Sequence, residues 1–527
     1  TLRSILLIIV SLNIILLFHA KATFQQPKII IPNLKNDWKI IKSYAKSTLY
    51  SITPTNMNYI LGAPFVMELK GNRSEVGYAA GILLGVESSE SYHAFMQHKF
   101  GKKSKSYEEA MDYLYANVLL KHIPKEYEDE FIGLTHGAWE AGVDKSIDVG
   151  QQQRRVITLS TLPADVSNII RLIENDFDLC TKKPKVCQDI LKWEEKNLGP
   201  NNIPYANGTW PRPEVTNPFS GHCDFLAAWG ERTEGGRLIS TRNLDWDKST
   251  GISKVKLITV YNIDGLGSPY ATVGFGALIS GAIAGMSKNG MTVSEANLDN
   301  SEVSFHGFPW PLRLRYVMEN AHNLAEARSI WSHTNNTAAF NFLIGSSSDA
   351  GTPGSPAAMA LETMKDFTGY FYDNSPIEAN ATWQWPNVST PEKIGFPIKD
   401  AVWRSNHALH PFVMHTQENL WNDTIWRYKE LHDLIVSKSS NGKVLSVDDV
   451  VYIVSVLGIK GPNYLSCNPK QFTDGGDNVM SIVYDPANFK LYSAWEDGSN
   501  VNWSPAACND YIQFDLSVVF EENMYEA

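Results

Sequence analysis

The sequence predicts an α+β sandwich in which helices cover a pair of antiparallel sheets. Three observations lead there. The N-terminal third carries helical periodicity, the residues after about 223 break into short β-like runs, and the tail returns to strands after two further helices. We find no internal repeat in this order.

From about residue 36 to residue 141 the apolar spacing reads as largely helical. In "SYEEAMDYLYANVLLKHI", Ser106 serves as a cap, acids fill the first turn, and Met111, Leu114, Val118 and Leu119 supply the apolar face. "DVSNIIRLIENDFDLC" gives a second helical stretch. Residues 194–222 are rich in Pro, Asn and Gly and show no period, which predicts an exposed linker of the kind that tolerates cutting. "CDFLAAWG" and "RLISTRNLDW" then flank "ERTEGG" as a hairpin. "VKLITVYNI", "YATVGFGAL" and "MTVSEANL" follow as strands, and the Gly-rich "GFGALISGAIAG" allows close strand packing. "PLRLRYVMENAHNLAEARSIW" and "DTIWRYKELHDLIVSK" read as helices, and "NVMSIVYDPANFKLYSAW" closes the chain with strands. The expected divisions are residues 1–22, a mostly helical segment 23–222, and 223–527.

At 527 residues with 43% hydrophobic and 20% charged side chains, the composition is that of an ordinary folded protein. A net charge of -11 provides no basic footprint for nucleic acid. Near the start, Arg3 precedes an apolar run from Ile5 to Phe18, followed by Ala20, Lys21 and Ala22. This pattern predicts a secretory signal cut after Ala22; the alternative, a membrane anchor, needs about 20 apolar residues. The expected location is therefore outside the cell or in the lysosomal or endosomal lumen, with no stable membrane span after signal removal. In that setting the N-x-S/T triplets beginning at Asn72, Asn207, Asn335, Asn380, Asn387, Asn422 and Asn502 are glycosylation candidates and should lie on the surface.

The five cysteines sharpen the reading. An odd number in an oxidising compartment leaves at least one unpaired. Cys180 and Cys187 enclose a short loop that a local bridge can close, and Cys467 and Cys508 form the natural second pair, although four cysteines allow three connectivities. Cys223 is then the free thiol, either a nucleophile or a small buried hydrophobe.

No G-x-S-x-G elbow, H-E-x-x-H or P-loop is present, and His407 and His410 form no recognisable metal cluster with the cysteines. The hairpin remains. Cys223 opens its first strand, and "TRNLDWD" ends the second with Arg242 and Asp245 three apart. A guanidinium lowers a thiol pKa, and an acid beside a free α-amine orients that amine as a base. If the chain is cut between His222 and Cys223, one residue supplies both nucleophile and general base. Residues three apart on a flat strand face opposite ways, so the strand must end or bulge near Asn243 for both charges to meet the thiol.

A cysteine opening a hairpin that ends in "RNLDW" resembles the N-terminal-nucleophile hydrolases, the superfamily of penicillin acyltransferases, bile-salt hydrolases and acid ceramidase. The resemblance covers most of residues 223–440 and is patterned rather than close. The R-N-x-D motif falls on Arg242, Asn243 and Asp245; "GMSKNGMTVSEAN" approximates G-x-N-x-x-G and implies an oxyanion-hole donor at Asn297; "SNH" implies a polar role for Asn406, with Asn374 as the competing position; "TIWR" implies a substrate-binding Arg427. Ser287 stands where the family usually has Asn, and His222 precedes the nucleophile where a small or acidic residue is more familiar.

The resemblance implies a four-layer αββα core and a cysteine amidohydrolase cleaving a linear amide, activated by autocleavage before Cys223. Residues 23–222 would then be a helical pro-segment that stays associated with the catalytic chain, and no metal or organic cofactor is implied. Trp246 is a candidate substrate contact, and Trp210, Trp310, Trp383 and Trp385 are further candidates for an acyl groove. An N-acyl lipid or N-acyl amino acid is the preferred substrate. A phospholipase-B-like ester deacylase uses the same nucleophile, and a non-catalytic secreted binding protein on the same fold is the rival of another class.

Overall fold

The computed structural model describes residues 26–161 and 223–520 apart from scattered positions and the stretch 459–476, where Cys467 alone is placed, together with a few residues between 181 and 192. Strands β1 (Ile29–Ile30), β2 (Trp38–Tyr44), β3 (Ser47–Ile52) and β4 (Phe65–Gly71) precede helices α1 (Arg73–Phe100), α2 (Ser104–Asn117), α3 (Glu126–Glu140) and α4 (Val149–Ser160). After Cys223 come β5 (Cys223–Ala228), β6 (Ile239–Trp246), β7 (Lys256–Ile263), β8 (Tyr270–Phe275), β9 (Ala284–Ser287) and β10 (Met291–Asn297), then α5 (Trp310–Asn320) and α6 (Leu324–Ser332). Next are β11 (Phe340–Ser346), β12 (Ala358–Met364), β13 (Phe367–Phe371), the small ladder of β14 (Thr382–Trp383) and β15 (Glu392–Lys393), and β16 (Ala401–Arg404). Helices α7 (Asn422–Lys438) and α8 (Val447–Gly458) lead to β17 (Asp477–Asp485), β18 (Lys490–Trp495) and β19 (Tyr511–Asp515).

The strands form two large sheets, a seven-stranded one in the order β1-β19-β18-β17-β6-β5-β16 and a ten-stranded one in the order β13-β12-β11-β10-β9-β8-β7-β4-β3-β2. They face each other where β10 and β11 lie over β5 and β6, helices α7 and α8 cover the outer face of the first sheet, and α1 and α5 cover that of the second. This is the four-layer αββα sandwich. Being covered on both faces explains why β5 reads as a continuous apolar run and why every residue of it is buried. Two polar bonds stitch the sheets together, Ser240 Oγ to Thr292 Oγ1 at 2.8 Å and Ser294 Oγ to the Thr241 carbonyl at 3.0 Å.

Two expectations need correction. Residues 38–71 hold three strands where a helical reading was expected. Their β-branched and aromatic content (Ile40, Ile41, Thr48, Tyr50, Val66) favours strands, and short apolar runs do not separate the two periods. The segment before residue 222 therefore adds strands to the sandwich as well as helices. β4 pairs in parallel with β7, bringing β3 and β2 with it, and β1 pairs with β19. Both sheets are therefore built from residues on either side of the 222–223 bond. The expected helix over 311–331 is also interrupted: Asn323 takes the Glu326 N–H at 2.9 Å and caps a second helix.

Helix α1 begins with a reciprocal cap between Asn72 and Glu75. It packs against α3 so closely that Gly77, Gly81, Gly133 and Gly137 are needed: a Cβ at Gly77 would lie 2.0 Å from the Glu130 carbonyl oxygen, and one at Gly137 2.0 Å from that of Tyr78. Below this contact is a buried ion network. Arg73 of α1 donates to Glu319 of α5 at 2.7 Å, Arg315 of α5 donates to Glu130 of α3 at 2.7 and 2.9 Å, and the hydroxyls of Tyr127 and Tyr270 complete Glu319 at 2.8 and 2.6 Å. The network joins the two halves of the chain.

The bridge between Cys467 and Cys508 is present, and Cys223 is a free, buried cysteine. Cys180, Cys187, His222, Asn207, Asn387, Trp210, the expected linker and the expected signal lie outside the described residues. Asn72, Asn335, Asn380 and Asn502 are exposed. No helix among the described residues is long and apolar enough to cross a membrane.

Removing one partner of a buried ion pair leaves its counter-charge without compensation and typically costs about 3–5 kcal/mol. Glu319→Ala is expected to lose stability of that order in chemical unfolding, and Glu319→Gln, which retains one acceptor, to lose less.

Candidate active site

Cys223 begins β5 directly opposite Leu244 of β6, with its side chain buried between the sheets. Its main chain is held at both ends. The nitrogen donates to Oδ1 of Asn406 at 2.6 Å, and the carbonyl accepts from Arg427 Nη1 at 2.6 Å. Asn406 follows β16, and its own N–H donates to Thr424 Oγ1 at 2.9 Å. Its Nδ2 donates to the carbonyl and to Oδ1 of Asn297, at 2.9 and 2.8 Å. That fixes the Asn297 amide with its oxygen toward Asn406, so its NH2 is the part left to serve an incoming group. Asn297 ends β10 and lines the same cavity as Cys223.

Arg242 and Asp245 both reach the thiol, by different means. The buried Arg242 guanidinium lies beside the sulfur, and Asp245 presents its backbone N–H to it. The irregularity expected near Asn243 falls on the neighbouring strand instead: in β17 the register shifts between Asn478 and Met480, opposite Asp245 and Leu244. Asn478 Nδ2 holds the Asp245 carboxylate at 2.9 Å. Asn243 turns away from the thiol, donating to Asp224 at 3.1 Å and to the Val454 carbonyl at 2.8 Å. The acceptor on the Cys223 nitrogen is therefore Asn406, where Asp245 was expected.

Arg427, expected as a substrate-binding residue, is buried against the start of β5. It does not line the cavity, and besides Cys223 it donates to Asn406 Oδ1 at 3.0 Å and to Asp423 at 3.3 Å, with Asp224 at 3.8 Å. It is a positioning residue that clamps the start of β5 from α7. Asn374 is exposed and is not the polar partner. Ser287 accepts the Met291 N–H across the tight turn between β9 and β10. No group of His, Cys, Asp or Glu among the described residues suits a metal. His407 is buried against Ser405 and Thr424, and burial holds its pKa down at about 3, so it is neutral.

Glu295 was not anticipated. It lies two residues before Asn297 on the same face of β10, binds Arg242 at 2.5 Å and lines the cavity. An acid within the alternating "TVSEAN" was the available signal. Burial lifts its pKa against the pull of Arg242. Burial also pushes the Cys223 thiol up to about 11, with Arg242 lowering it and Glu295 and Asp245 raising it. In the uncut chain the sulfur is thus a protonated thiol and needs a base.

The cavity beside Cys223 has a volume of about 180 Å³, an order of magnitude beyond the roughly 15 Å³ that one water needs. Its walls are mostly apolar. Leu257, Val273 and Phe275 come from β7 and β8, Phe95 and Phe100 from α1, and Val156 and Leu159 from α4, so the segment before residue 222 forms part of the site. Of the expected tryptophans, Trp246 and Trp310 line it, and Trp310 is fixed by its indole N–H on the Ser160 carbonyl. Trp383 and Trp385 pack on each other elsewhere.

Residues 232–352, which hold Arg242, Asp245, Glu295 and Asn297, match the model of the acyl-coenzyme A:6-aminopenicillanic acid acyl-transferase family. The four-layer αββα sandwich observed here is the architecture that the resemblance to N-terminal-nucleophile hydrolases implies. The chain is also similar to protein dcd1B of Dictyostelium discoideum, 23% identical over 206 residues, an alignment that spans 38% of this chain and 38% of that protein. Among solved structures, a variant of the conjugated bile acid hydrolase of Clostridium perfringens is similar at TM-score 0.36 and 10% identity, over 56% of this chain and 93% of that one. Penicillin V acylase of Agrobacterium tumefaciens is similar at TM-score 0.32 and 12% identity, again over 56% and 93%.

Asp224, next to Cys223, has its carboxyl raised by burial to about 6, against the pull of Arg427 and Arg242. A carboxyl held above its unfolded value, about 3.9, favours the protonated form in the fold. Its contribution is complete below about pH 4 and is lost as pH rises through about 6. Thermal unfolding of the wild type relative to Asp224→Asn should therefore shift downward between those pH values. A gap that stays constant across the range contradicts the assignment.

Proposed function

We propose that the chain is a cysteine amidohydrolase that becomes active when the bond before Cys223 is cut, freeing the Cys223 α-amine as the general base. The observation that carries this is the double grip on Cys223: Asn406 on its nitrogen and Arg427 on its carbonyl fix the main chain where a new terminus would stand. A buried backbone N–H and C=O need partners in any fold; here both are supplied by side chains, so that neither bond depends on the chain before Cys223. The protonated thiol supports the same reading, because a base at the same residue removes the need for a preformed thiolate.

In the proposed cycle the α-amine takes the thiol proton as sulfur bonds to the substrate carbonyl carbon. The Asn297 amide donates to the developing oxyanion. The proton passes to the amide nitrogen, the C–N bond breaks and the amine leaves. Water, deprotonated by the same amine, then attacks the thioester, and the acid departs as the thiol is restored. Arg242 steadies charge at the sulfur, with Glu295 holding Arg242 in place. Every group in this scheme belongs to the chain. The apolar cavity suits the acyl side of an N-acyl lipid or N-acyl amino acid. A secreted or lysosomal setting is supported by the Cys467–Cys508 bridge and by exposure of four of the glycosylation triplets.

N-terminal sequencing of the mature protein should find a fragment beginning at Cys223, and Cys223→Ala should remain one uncut glycoprotein without amidase activity. A single intact wild-type chain with an unreactive thiol overturns the proposal in favour of a binding protein, and turnover of acyl esters without turnover of amides overturns it in favour of the ester deacylase.

An oxyanion donor is typically worth roughly 3 kcal/mol, or about a hundredfold in rate. Asn297→Ala should reduce kcat by about that factor in steady-state assays, with KM changed far less.

A further inference from the structure

We propose that the flank of the sandwich formed by residues 28–46 and the loop at Ile60 is a docking face for an anionic lipid bilayer. Docking involves no turnover, so it stands or falls apart from the amidase reading above.

Of the large apolar side chains exposed among the described residues, Ile31, Leu34, Ile40, Ile41 and Ile60 fall between residues 31 and 60, whereas the others are scattered from 120 to 444. Ile31 and Ile60 are 70% and 60% exposed, well beyond the ordinary edge of a core. Exposed apolar side chains gathered in this way mark a surface that meets something. They also share one flank of the molecule. β1 ends the seven-stranded sheet and β2 ends the ten-stranded one, and Trp38 of β2 packs edge-on against Phe514 of β19, so the two sheet edges lie side by side. The loop at Ile60 is pinned to the same flank. The N–H groups of Ile60 and Leu61 donate to Asp497 at 3.0 and 2.8 Å, and Asp497 shares a hollow with Asp510, which takes the Lys28 N–H at 2.8 Å.

Charge identifies the occupant. Residues 28–46 hold five lysines, Lys28, Lys35, Lys39, Lys42 and Lys46, and a single acid, in a chain of net charge -11. All five lysines are exposed, while the acid, Asp37, is buried and accepts the Asn33 N–H and the Thr55 hydroxyl. On β2 the two kinds of side chain alternate in pairs: Lys39, Ile40, Ile41 and Lys42 are all exposed, and Ile41 is the extra residue of a bulge with no partner across the ladder. Lysines on an edge strand oppose pairing with a second copy of the same edge. The same lysines attract anionic head groups, and isoleucines beside them can enter the acyl boundary, the combination by which a peripheral protein holds to a bilayer.

The flank is fastened to the cavity wall. Lys256 Nζ donates to the Gly62 carbonyl at 2.8 Å, and Ile252 and Leu257, on either side of that contact, line the cavity beside Cys223. A bilayer seated on the Ile60 loop therefore lies against the segment that leads to the site.

The test is co-sedimentation of the mature protein with vesicles of phosphatidylcholine alone and with added phosphatidylserine. Binding is expected to the mixed vesicles, to be absent from the neutral ones and to fall as salt rises. Replacing Lys35, Lys39 and Lys42 together by Gln should weaken it roughly 100-fold. Ile40→Ser combined with Ile41→Ser should weaken it by about tenfold or more even at low salt, which attraction through charge alone does not predict. Both variants should melt with the wild type, because the side chains they change face solvent. Equal binding to neutral and mixed vesicles, or binding unchanged in both variants, overturns the proposal. A dimer that the isoleucine variant dissolves, without vesicle binding by the wild type, overturns it in favour of a second copy of the chain.

Discussion

The hydrogen bond from the Cys223 nitrogen to Asn406 is the contact on which the site depends. A carboxamide offers two acceptor and two donor positions, and Asn406 uses all four: Oδ1 takes Cys223 and Arg427, and Nδ2 gives to the carbonyl and side chain of Asn297. One side chain thus registers β5 of the first sheet against β10 of the second and against α7 outside. Any shift between the layers would break several of these bonds together, so the distance from Cys223 to Asn297 is set by the packing of the sandwich rather than by a loop.

Around that centre the charges are buried in pairs. Arg242 faces Glu295, and Arg427 stands near Asp224 and Asp423. Buried ions in pairs are tolerable where single ones are not, and the pairing limits how far either arginine can lower the thiol pKa. The net result is a sulfur that burial keeps protonated. Such a site has little use for a standing thiolate and a clear use for a base that appears only when the backbone is cut.

The hairpin, the free cysteine that opens it and the nearness of Arg242 and Asp245 were legible because local pattern carries them, a free cysteine at a strand start and charged residues at the end of its partner strand, whereas Asn297 and Asn406 came only from the family resemblance. What local pattern does not carry is pairing between distant segments. Nothing near residues 65–71 announces that β4 will lie beside β7, and nothing in "TIWR" tells whether Arg427 faces substrate or the back of β5. The register shift at Val479 lies opposite Leu244 and Asp245 of β6, more than 230 residues earlier. Glu295 was within reach of a strand-face argument, whereas Phe95 and Phe100 required the fold, since only tertiary packing brings the end of α1 to the cavity.

The parallel pairing of β4 with β7 bears on how the protein can be made. While the chain is whole, the tie between these strands is a closed loop whose entropic cost grows only slowly with length. Once the 222–223 bond is broken, the same pairing becomes a meeting of two molecules. An enzyme cut there would fold once, as a precursor, and afterwards owe its survival to the slowness of unfolding rather than to an equilibrium it could re-enter at low concentration. Maturation would then be a one-way event that leaves a molecule whose shape preserves the history of a longer chain.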